Sequence, residues 1–358
     1  MEMEYQSMNV KKLTETTHAL LADNKGLFAM DESISTCNKR FADAGIAQTE
    51  ENRRRYRELI IKTSGLNESI SGVILYHETI RQSDESGIPF IKIITDAGII
   101  PGIKVDIGTE DLAGFPDEKI TEGLDGLRYR LKEYARMGAR FSKWRAVMFI
   151  GQGIPSRNCI ISNANALARY AALCQECGLV PIVEPEVMML GGHSSKMCYT
   201  ITKEVINTVF DELYLQNIAL EGIILKPNMI LPGLDSGEKK SAEKIAEDTI
   251  KCLMECVPAA VPGIAFLSGG QSPQEASIRL NAMKQNPASN LPWKLTFSFG
   301  RALQETALMS WKGDDANMVN AQQDIYHRAK CNRAANMGLY NDEIEKRNQK
   351  GLKLHILG

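Results

Sequence analysis

The sequence lacks the features that would assign it to several broad classes of protein. It contains no run of about 18 apolar residues, the length that a membrane-spanning helix needs. Its first residues, MEMEYQSMNVKK, are acidic where a secretory signal peptide would be basic, so we expect a soluble cytoplasmic protein. The formal net charge of −2 over 358 residues provides no overall attraction to nucleic acid or to an anionic membrane.

Cysteine and histidine are too dispersed to indicate a disulfide scaffold or a metal centre. Eight cysteines are a low density for a disulfide framework in a chain of 358 residues, so we expect reduced thiols. Cys174 and Cys177 form a CxxC pair without a second pair, and we expect both to pack within a helix. The five histidines form no HExxH motif, which argues against a metal-dependent mechanism and predicts no cofactor.

Short apolar runs bounded by turn residues recur along the chain and predict eight β-strands. We place them at residues 26–30, 72–76, 90–95, 139–147, 179–185, 221–227, 263–269 and 295–300. Segments with helical periodicity occupy most of the gaps, for example 49–65, 165–178, 241–256 and 272–284. Alternating helices and strands, with strands hydrophobic on both faces, predict a closed parallel (β/α)8 barrel, the TIM-barrel form of the α/β class.

The chain shows no internal boundary between domains. It has no fixed-period repeat, low-complexity tract or linker-like segment, so we predict a single barrel over residues 1–345. Extra helices are expected at about residues 8–24 and about 314–338. The basic segment 346–358 is predicted to be a mobile tail. The basic run RRRYR at 53–57 lies on a predicted helix and is expected to face solvent.

Charged residues stand at the carboxyl ends of most predicted strands, where barrel enzymes place their reacting groups. Residues two apart on a strand face the same way, so Lys143 with Arg145, and Glu184 with Glu186, should point into the barrel mouth. Burying unpaired charges is costly, so their accumulation predicts a ligand site. The polar residues at these ends are Asp31, Lys143, Arg145, Glu184, Glu186, Lys226, Ser268 and Arg301, and Lys104 lies in the predicted loop after the third strand.

The loops after the last two predicted strands carry a separate signal for phosphate. They contain SGGQS at 268–272 and GRA at 300–302. TIM barrels commonly bind phosphate on backbone N–H groups of these two loops. Glycine lets the ligand approach the backbone, and the Arg301 guanidinium can bind two phosphate oxygens. We therefore predict a phosphate site between the two loops.

Lys226 ends the buried run EGIILK and is followed by a proline. Beside Lys143 and partly removed from water, its amine is expected to be neutral in a fraction of molecules and able to attack a carbonyl, forming a Schiff base. The iminium would withdraw electrons from the adjacent carbon and permit cleavage of a carbon–carbon bond. Asp31 and Glu184 are the candidates for moving the protons that this reaction requires.

Seven segments of the chain resemble class I fructose-bisphosphate aldolases. They are AMDES (29–33), GIKVD (102–106), KWR (143–145), IVEPEV (182–187), LKPNM (225–229), FLSGGQS (266–272) and FGRAL (299–303). The resemblance implies reversible, metal-independent cleavage of the sugar bisphosphate fructose 1,6-bisphosphate into dihydroxyacetone phosphate and glyceraldehyde 3-phosphate. It also implies a homotetramer without a cofactor.

The resemblance further implies a role for each matched residue. Lys226 would form the Schiff base, Glu184 would be the acid and base of carbinolamine dehydration, and Lys143 would assist that step. Asp31 would be a base in bond cleavage, and Glu186 would belong to the charge network around the lysines. The residues implied for the phosphate next to the ketone are Ser268, Gly269, Gly300 and Arg301, and those implied for the other phosphate are Ser33, Lys104 and Arg145.

Two alternatives stay open at this point: a barrel aldolase for another sugar phosphate, such as sedoheptulose 1,7-bisphosphate, and a scaffold without turnover. The scaffold hypothesis predicts damage to the catalytic set, whereas every matched position bears the expected residue type. The sequence ends LHILG, while members of the family commonly end in a tyrosine that serves proton exchange. We expect deletion of the 346–358 segment to change kcat by less than about tenfold.

Overall fold

The computed structural model describes residues 2–286 and 290–346, which contain a closed barrel of eight parallel strands. The predicted tail, 346–358, lies outside the described residues except for Lys346. The strands are β1 (Gly26–Ala29), β2 (Ile70–Leu75), β3 (Ile100–Lys104), β4 (Gly108–Asp111), β5 (Lys119–Glu122), β6 (Phe141–Met148), β7 (Val180–Val187), β8 (Ile224–Leu225), β9 (Gly263–Phe266) and β10 (Lys294–Phe299). The barrel order is β1, β2, β3, β6, β7, β8, β9, β10 and back to β1, and β4 and β5 form a separate antiparallel hairpin.

Helices alternate with the barrel strands and precede and follow them. They are α1 (Glu2–Leu20), α2 (Ile34–Asp43), α3 (Glu50–Ile61), α4 (Phe90–Asp96), α5 (Leu127–Met137), α6 (Arg157–Glu176), α7 (Ser195–Leu215), α8 (Ala242–Cys256), α9 (Pro273–Gln285), α10 (Arg301–Trp311), α11 (Met318–Asn336) and α12 (Asp342–Lys346). Ser156, Ser194, Ser241 and Ser272 each begin a helix by accepting the backbone N–H three residues on. The predicted barrel with extra helices at both ends is confirmed. Within the described ranges, no helix combines the length and apolar character needed to cross a membrane.

One predicted strand is wrong. Residues 90–95 belong to α4, and the third barrel strand is β3. Phe90 and Ile94 are buried four residues apart, which is a helical spacing. The β3 sequence, IPGIK, contains proline and glycine, both of which are rare inside strands. Lys104 therefore ends a barrel strand instead of lying in a loop after it.

The basic run at 53–57 does not face solvent as predicted. Arg53 and Arg57 lie on α3 and are 8% and 3% exposed. Arg53 donates to both oxygens of the Glu78 carboxylate, at 2.8 and 2.7 Å. Arg57 Nη2 donates to Glu32 Oε2 at 2.9 Å. Buried guanidinium groups need such partners, and these partners lie in the loops after β1 and β2.

Apolar side chains close the amino-terminal end of the barrel. A Cβ atom added at Gly72 would lie 2.6 Å from Leu20 Cδ2, and one added at Gly263 would lie 2.5 Å from Leu21 Cδ1. These glycines stand near the starts of β2 and β9, so Leu20 at the end of α1 and Leu21 just after it pack directly on the strands. The buried cluster at this end comprises Leu13, Leu20, Leu21, Leu27, Ala29, Ile74, Phe141, Val180, Ile182, Ile224 and Ala265. Charged residues gather at the opposite, carboxyl end.

Candidate active site

Four ionisable side chains form a continuous series of ion pairs at the carboxyl end of the barrel. Lys226 Nζ lies 3.1 Å from Glu184 Oε1. Lys143 Nζ lies 3.2 Å from Glu184 Oε2 and 2.7 Å from Asp31 Oδ2. None of the four residues is more than 8% exposed. Because positive and negative groups alternate, each buried charge has an opposite charge beside it, which offsets the cost of removing it from water.

The strands bring these residues together by their register. Arg145 of β6 stands opposite Glu184 of β7. Lys143 lies two residues before Arg145 on β6, and its side chain is therefore on the same face of the strand as that of Arg145. β8 contains only two residues, but the Lys226 N–H still donates to the Val183 carbonyl at 2.8 Å. Lys226 is thereby held against β7 beside Glu184. Pro227, which has no N–H, then takes the chain out of the sheet.

Electrostatics keep both carboxylates of this series ionised. Burial alone would raise the pKa of Asp31, but the charges of Lys143 and Lys226 outweigh it and hold that pKa at about 2. Burial likewise opposes ionisation of Glu184, and the same two lysines, with Arg145, hold its pKa below the usual value. Burial would lower the pKa of Lys143, yet Asp31 and Glu184 raise it. At neutral pH the site therefore contains two carboxylates and a protonated Lys143.

A second set of charges adjoins the first. Arg145 Nε contacts Glu186 Oε2, and Lys104 Nζ contacts Asp106 Oδ1 and donates to the Asp106 carbonyl at 2.8 Å. Asp106 Oδ2 also accepts the Arg145 backbone N–H at 3.3 Å. Burial opposes the charge of Arg145, but Glu186 and Glu184 raise its pKa. Asp106 was not predicted as a site residue, although it stands two residues after Lys104 in the matched GIKVD segment.

The two predicted phosphate loops meet at the end of the barrel. Arg301 Nη2 donates to the Gly269 carbonyl at 3.0 Å, which joins the loop after β9 to the start of α10. Gly269 has a φ of +56°, in the region that favours glycine. Gly300 precedes the first turn of α10, whose free N–H groups favour an anion. Ser268, Gly269 and Glu186 line one small cavity, so the loop after β9 adjoins the charged residues.

Ser33 is engaged within its own helix. Its hydroxyl caps α2 by accepting the Thr36 N–H at 3.2 Å. It also lies 3.0 Å from the hydroxyls of Ser35 and Thr36. The predicted phosphate site that it shares with Lys104 and Arg145 would require these hydrogen bonds to be exchanged for bonds to the ligand.

Asn228 is a further residue at the site that was not predicted. It is 5% exposed, and its Oδ1 accepts the Val187 N–H at 3.0 Å. Its Nδ2 donates to Thr202 Oγ1 and to the Met229 carbonyl, both at 3.1 Å. These bonds fix the end of β7, the strand that carries Glu184 and Glu186. Its place in the matched segment LKPNM was the available signal.

Comparison with known proteins gives matches over nearly the whole chain. The family profile described as fructose-bisphosphate aldolase class-I matches residues 12–356. A Xanthomonas campestris protein named probable fructose-bisphosphate aldolase class 1 is 54% identical over 332 residues, which are 92% of this chain and 99% of that protein. Fructose-bisphosphate aldolase 4, cytosolic, from Arabidopsis thaliana is 47% identical over 332 residues, covering 93% of this chain and 84% of the plant protein.

A solved structure shows the same agreement in three dimensions. The structure of fructose-bisphosphate aldolase from Plasmodium falciparum, in complex with TRAP and a small-molecule inhibitor, has a TM-score of 0.91 at 42% identity. It covers 93% of this chain, and this chain covers 96% of it. Agreement of this extent in both sequence and fold shows that the chain belongs to the class-I fructose-bisphosphate aldolase family.

Proposed function

We propose that the enzyme cleaves fructose 1,6-bisphosphate reversibly into dihydroxyacetone phosphate and glyceraldehyde 3-phosphate through a Schiff base on Lys226. The observation that carries this proposal is the 3.1 Å contact between Lys226 Nζ and Glu184 Oε1 at the buried end of the barrel. A lysine must lose a proton before it can attack a carbonyl. Glu184 is ionised and lies within reach of that proton.

The first half of the reaction forms the iminium. The neutral Lys226 amine attacks the C2 carbonyl carbon of the substrate, and a proton then passes from that nitrogen to the carbonyl oxygen to give a carbinolamine. Glu184, now protonated, returns its proton to the departing hydroxyl, which leaves as water. Lys143 lies 3.2 Å from Glu184 and supplies positive charge where the carboxylate is regenerated.

The second half breaks the bond between C3 and C4. Asp31 removes the proton of the C4 hydroxyl, the C4 aldehyde forms, and the electron pair of the broken bond moves into the iminium to give an enamine. With a pKa of about 2, Asp31 holds that proton weakly. Lys143 contacts both Asp31 and Glu184, which provides a path along which the proton passes to Glu184. Protonation of the enamine and hydrolysis then release dihydroxyacetone phosphate.

Two groups of anion-binding residues support a bisphosphate as the substrate. The ketone-side phosphate would bind at the loops after β9 and β10, and the far phosphate would bind beside β3 and β6. The relatives named above are called fructose-bisphosphate aldolases, which favours fructose 1,6-bisphosphate over sedoheptulose 1,7-bisphosphate and over a scaffold. The residues assigned to the ketone side are Ser268, Gly269, Gly300 and Arg301, and those assigned to the far side are Ser33, Lys104 and Arg145.

We also propose a cytoplasmic homotetramer. Several plant relatives are named cytosolic or cytoplasmic, which supports the location. Tyr129, Tyr214 and Leu215 are 78%, 83% and 68% exposed on the outer helices, and exposed apolar side chains of this size are suited to contact between copies of the chain. Light scattering of the purified enzyme should give four times the chain mass, and a single chain mass would contradict the assembly.

Borohydride trapping tests the Schiff base directly. The enzyme is incubated with dihydroxyacetone phosphate, reduced with borohydride, digested and examined by mass spectrometry. We expect loss of activity and a reduced ligand on Lys226. The matched control is Lys226→Arg, which keeps a positive charge but forms no imine and should stay unlabelled. A label on any other lysine would contradict the assignment.

A further inference from the structure

Two methionine sulfur atoms contact N–H donors at the mouth of the barrel. Met188 and Met189 immediately follow β7 and are half-buried. Arg145 Nη2 donates to Met188 Sδ at 3.4 Å. The Gly270 N–H donates to Met189 Sδ at 3.1 Å. Arg145 belongs to the residues that we propose for the far phosphate, and Gly270 lies in the 268–272 loop that we propose for the ketone-side phosphate. Each sulfur therefore lies where it can compete with a phosphate oxygen.

Met189 packs closely on the glycine loop after β9. A Cβ atom added at Gly270 would lie 3.1 Å from Met189 Sδ, and one added at Gly269 would lie 3.5 Å from it. A thioether is a weak acceptor on a flexible side chain. A phosphate oxygen is charged and forms stronger hydrogen bonds with the same donors. A substrate can therefore displace the sulfur atoms from Arg145 and from the Gly270 N–H.

Most cysteine side chains are less exposed than those of Met188 and Met189. Seven of the eight are buried, and only Cys177 is partly exposed. Burial raises the pKa of Cys159 to about 11 and also raises that of Cys198. Such thiols remain protonated at neutral pH and react slowly with peroxide, whereas a thioether needs no ionisation.

We propose that Met188 and Met189 form a peroxide-sensitive modification site that controls binding of the substrate phosphates. A sulfur lone pair attacks one oxygen of hydrogen peroxide, the O–O bond breaks, and the products are methionine sulfoxide and water. The sulfoxide oxygen is a strong acceptor, so it holds Arg145 and the Gly270 N–H in place of a phosphate. This inference rests on the proposed function only in the assignment of those donors to the substrate.

The first experiment follows oxidation and activity together. The enzyme is treated with hydrogen peroxide for increasing times, sulfoxide at each methionine is measured by peptide mass spectrometry, and cleavage of fructose 1,6-bisphosphate is assayed. We expect KM to rise by about fivefold or more as sulfoxide accumulates at Met188 and Met189. Dihydroxyacetone phosphate, which carries only the ketone-side phosphate, should slow oxidation at Met189 but not at Met254, which is 52% exposed. Methionine sulfoxide reductase should restore KM, and dithiothreitol should not.

Matched variants separate this pair from other methionines. Met188→Leu with Met189→Leu removes the proposed site, while Met254→Leu with Met309→Leu removes two methionines that are 52% and 47% exposed elsewhere. Each sample is compared with its own untreated portion. The first double variant should keep its KM under peroxide, and the second should respond as the wild type does. Met189→Gln places an amide carbonyl near the sulfur position and should raise KM relative to Met189→Leu, which tests the competition without any oxidant.

Three results would overturn the inference: an unchanged KM when both positions are fully oxidised, equal sensitivity of the Met188→Leu, Met189→Leu variant, or equal KM values for the Gln and Leu variants at position 189. Activity of the untreated enzyme is measured first, which keeps the two proposals distinguishable. Absence of fructose 1,6-bisphosphate cleavage would refute the proposed function. Cleavage that is indifferent to these two methionines would refute only the modification site.

Discussion

The amino-terminal end of the barrel buries Leu20 and Leu21 against glycines, whereas the carboxyl end buries Lys143, Glu184 and Lys226 against one another. Both ends are shielded from water, but the energetics differ. Apolar packing stabilises the fold by removing hydrocarbon from water. A buried ion pair contributes little net stability, because desolvation consumes most of the attraction between the charges. The amino-terminal end thus serves stability, and the carboxyl end retains the charges that the proposed mechanism uses.

This contrast leads to variants that should separate activity from stability. Substitutions at the carboxyl end should abolish turnover with small changes in the free energy of unfolding. Substitutions at the amino-terminal end should do the reverse. A variant that changed both quantities to a similar degree would weaken the contrast.

The largest effect is expected for Lys226→Met. Without a primary amine no iminium forms, so kcat should fall by at least about 10⁴-fold. The melting temperature should shift little, because methionine fills a similar volume and Lys143 remains beside Glu184 to offset its charge. Stopped assays and thermal unfolding measure the two quantities. Lys226→Arg should lose as much activity, and retention of more than about 1% of kcat in that variant would show that charge alone is enough.

Arg301→Ala should have the next largest effect. Its guanidinium stands at the loops that we propose for the ketone-side phosphate, so kcat/KM should fall by about two to four orders of magnitude, or ~3–5 kcal/mol. The loss should be as large with fructose 1-phosphate, which retains only the ketone-side phosphate. A smaller loss with that substrate would move Arg301 to the far phosphate. Arg128→Ala, which breaks an exposed ion pair with Glu176, is the control and should leave kcat/KM unchanged.

Leu20→Ala tests the opposite end of the barrel. Leu20 is fully buried, and truncating it leaves a cavity beside Gly72. The free energy of unfolding should fall by about 2–5 kcal/mol, as measured by guanidinium denaturation. The folded enzyme should keep kcat within about twofold, because the charged groups are at the other end of the strands. A large loss of kcat in the folded variant would mean that the two ends are mechanically coupled.

The charged residues at the carboxyl end of the barrel could be predicted from the sequence for a physical reason. Lysine and glutamate are rare in buried strands, so Lys143, Glu184 and Lys226 stand out in apolar runs. Spacing by two residues also indicated which of them face the same way. The ion-pair partners could not be predicted from the sequence, because Asp31 and Lys143 are far apart in the chain and meet only when the barrel closes.

The two wrong predictions, of a strand at residues 90–95 and of a solvent-facing basic run, also have physical causes. β3 was not predicted, because Pro101 and Gly102 are residues that rarely occur inside strands. Gly102 is required by packing, since a Cβ there would lie 2.3 Å from the Phe141 ring, and no local pattern reports that contact. Arg57 was assigned to solvent because a basic run usually faces water. Its burial depends on Glu32, which lies 25 positions earlier in the loop between β1 and α2.

Acidification should weaken the ion pairs at the carboxyl end of the barrel before it affects apolar packing. The folded pKa of Asp31 is about 2, below its ordinary value of 3.8, so the ionised carboxylate stabilises the folded state above about pH 4. That contribution is lost as the pH falls toward about 2. The difference in unfolding free energy between wild type and Asp31→Asn should therefore shrink by up to about 2 kcal/mol. Denaturant titrations at several pH values measure it, and a constant difference would contradict the electrostatic assignment.

Removal of divalent metals should have the smallest effect, with kcat staying within about twofold after EDTA treatment and dialysis. In the proposed mechanism the Lys226 iminium accepts the electron pair of the broken bond, so a metal has no electrons to accept. The carboxylates at the barrel mouth are already paired with Lys143 and Lys226.

Among the described residues, one group of side chains has the spacing of a metal site: His327, Cys331 and Glu345, on α11 and α12. The Glu345 carboxylate there already contacts the Arg328 guanidinium and accepts the Tyr340 hydroxyl at 2.6 Å. A cation would have to replace both partners, and this group lies outside the barrel mouth. Loss of activity that zinc restores would therefore count against the Schiff base itself. Loss of thermal stability alone, with kcat intact, would indicate only a structural ion at the outer helices.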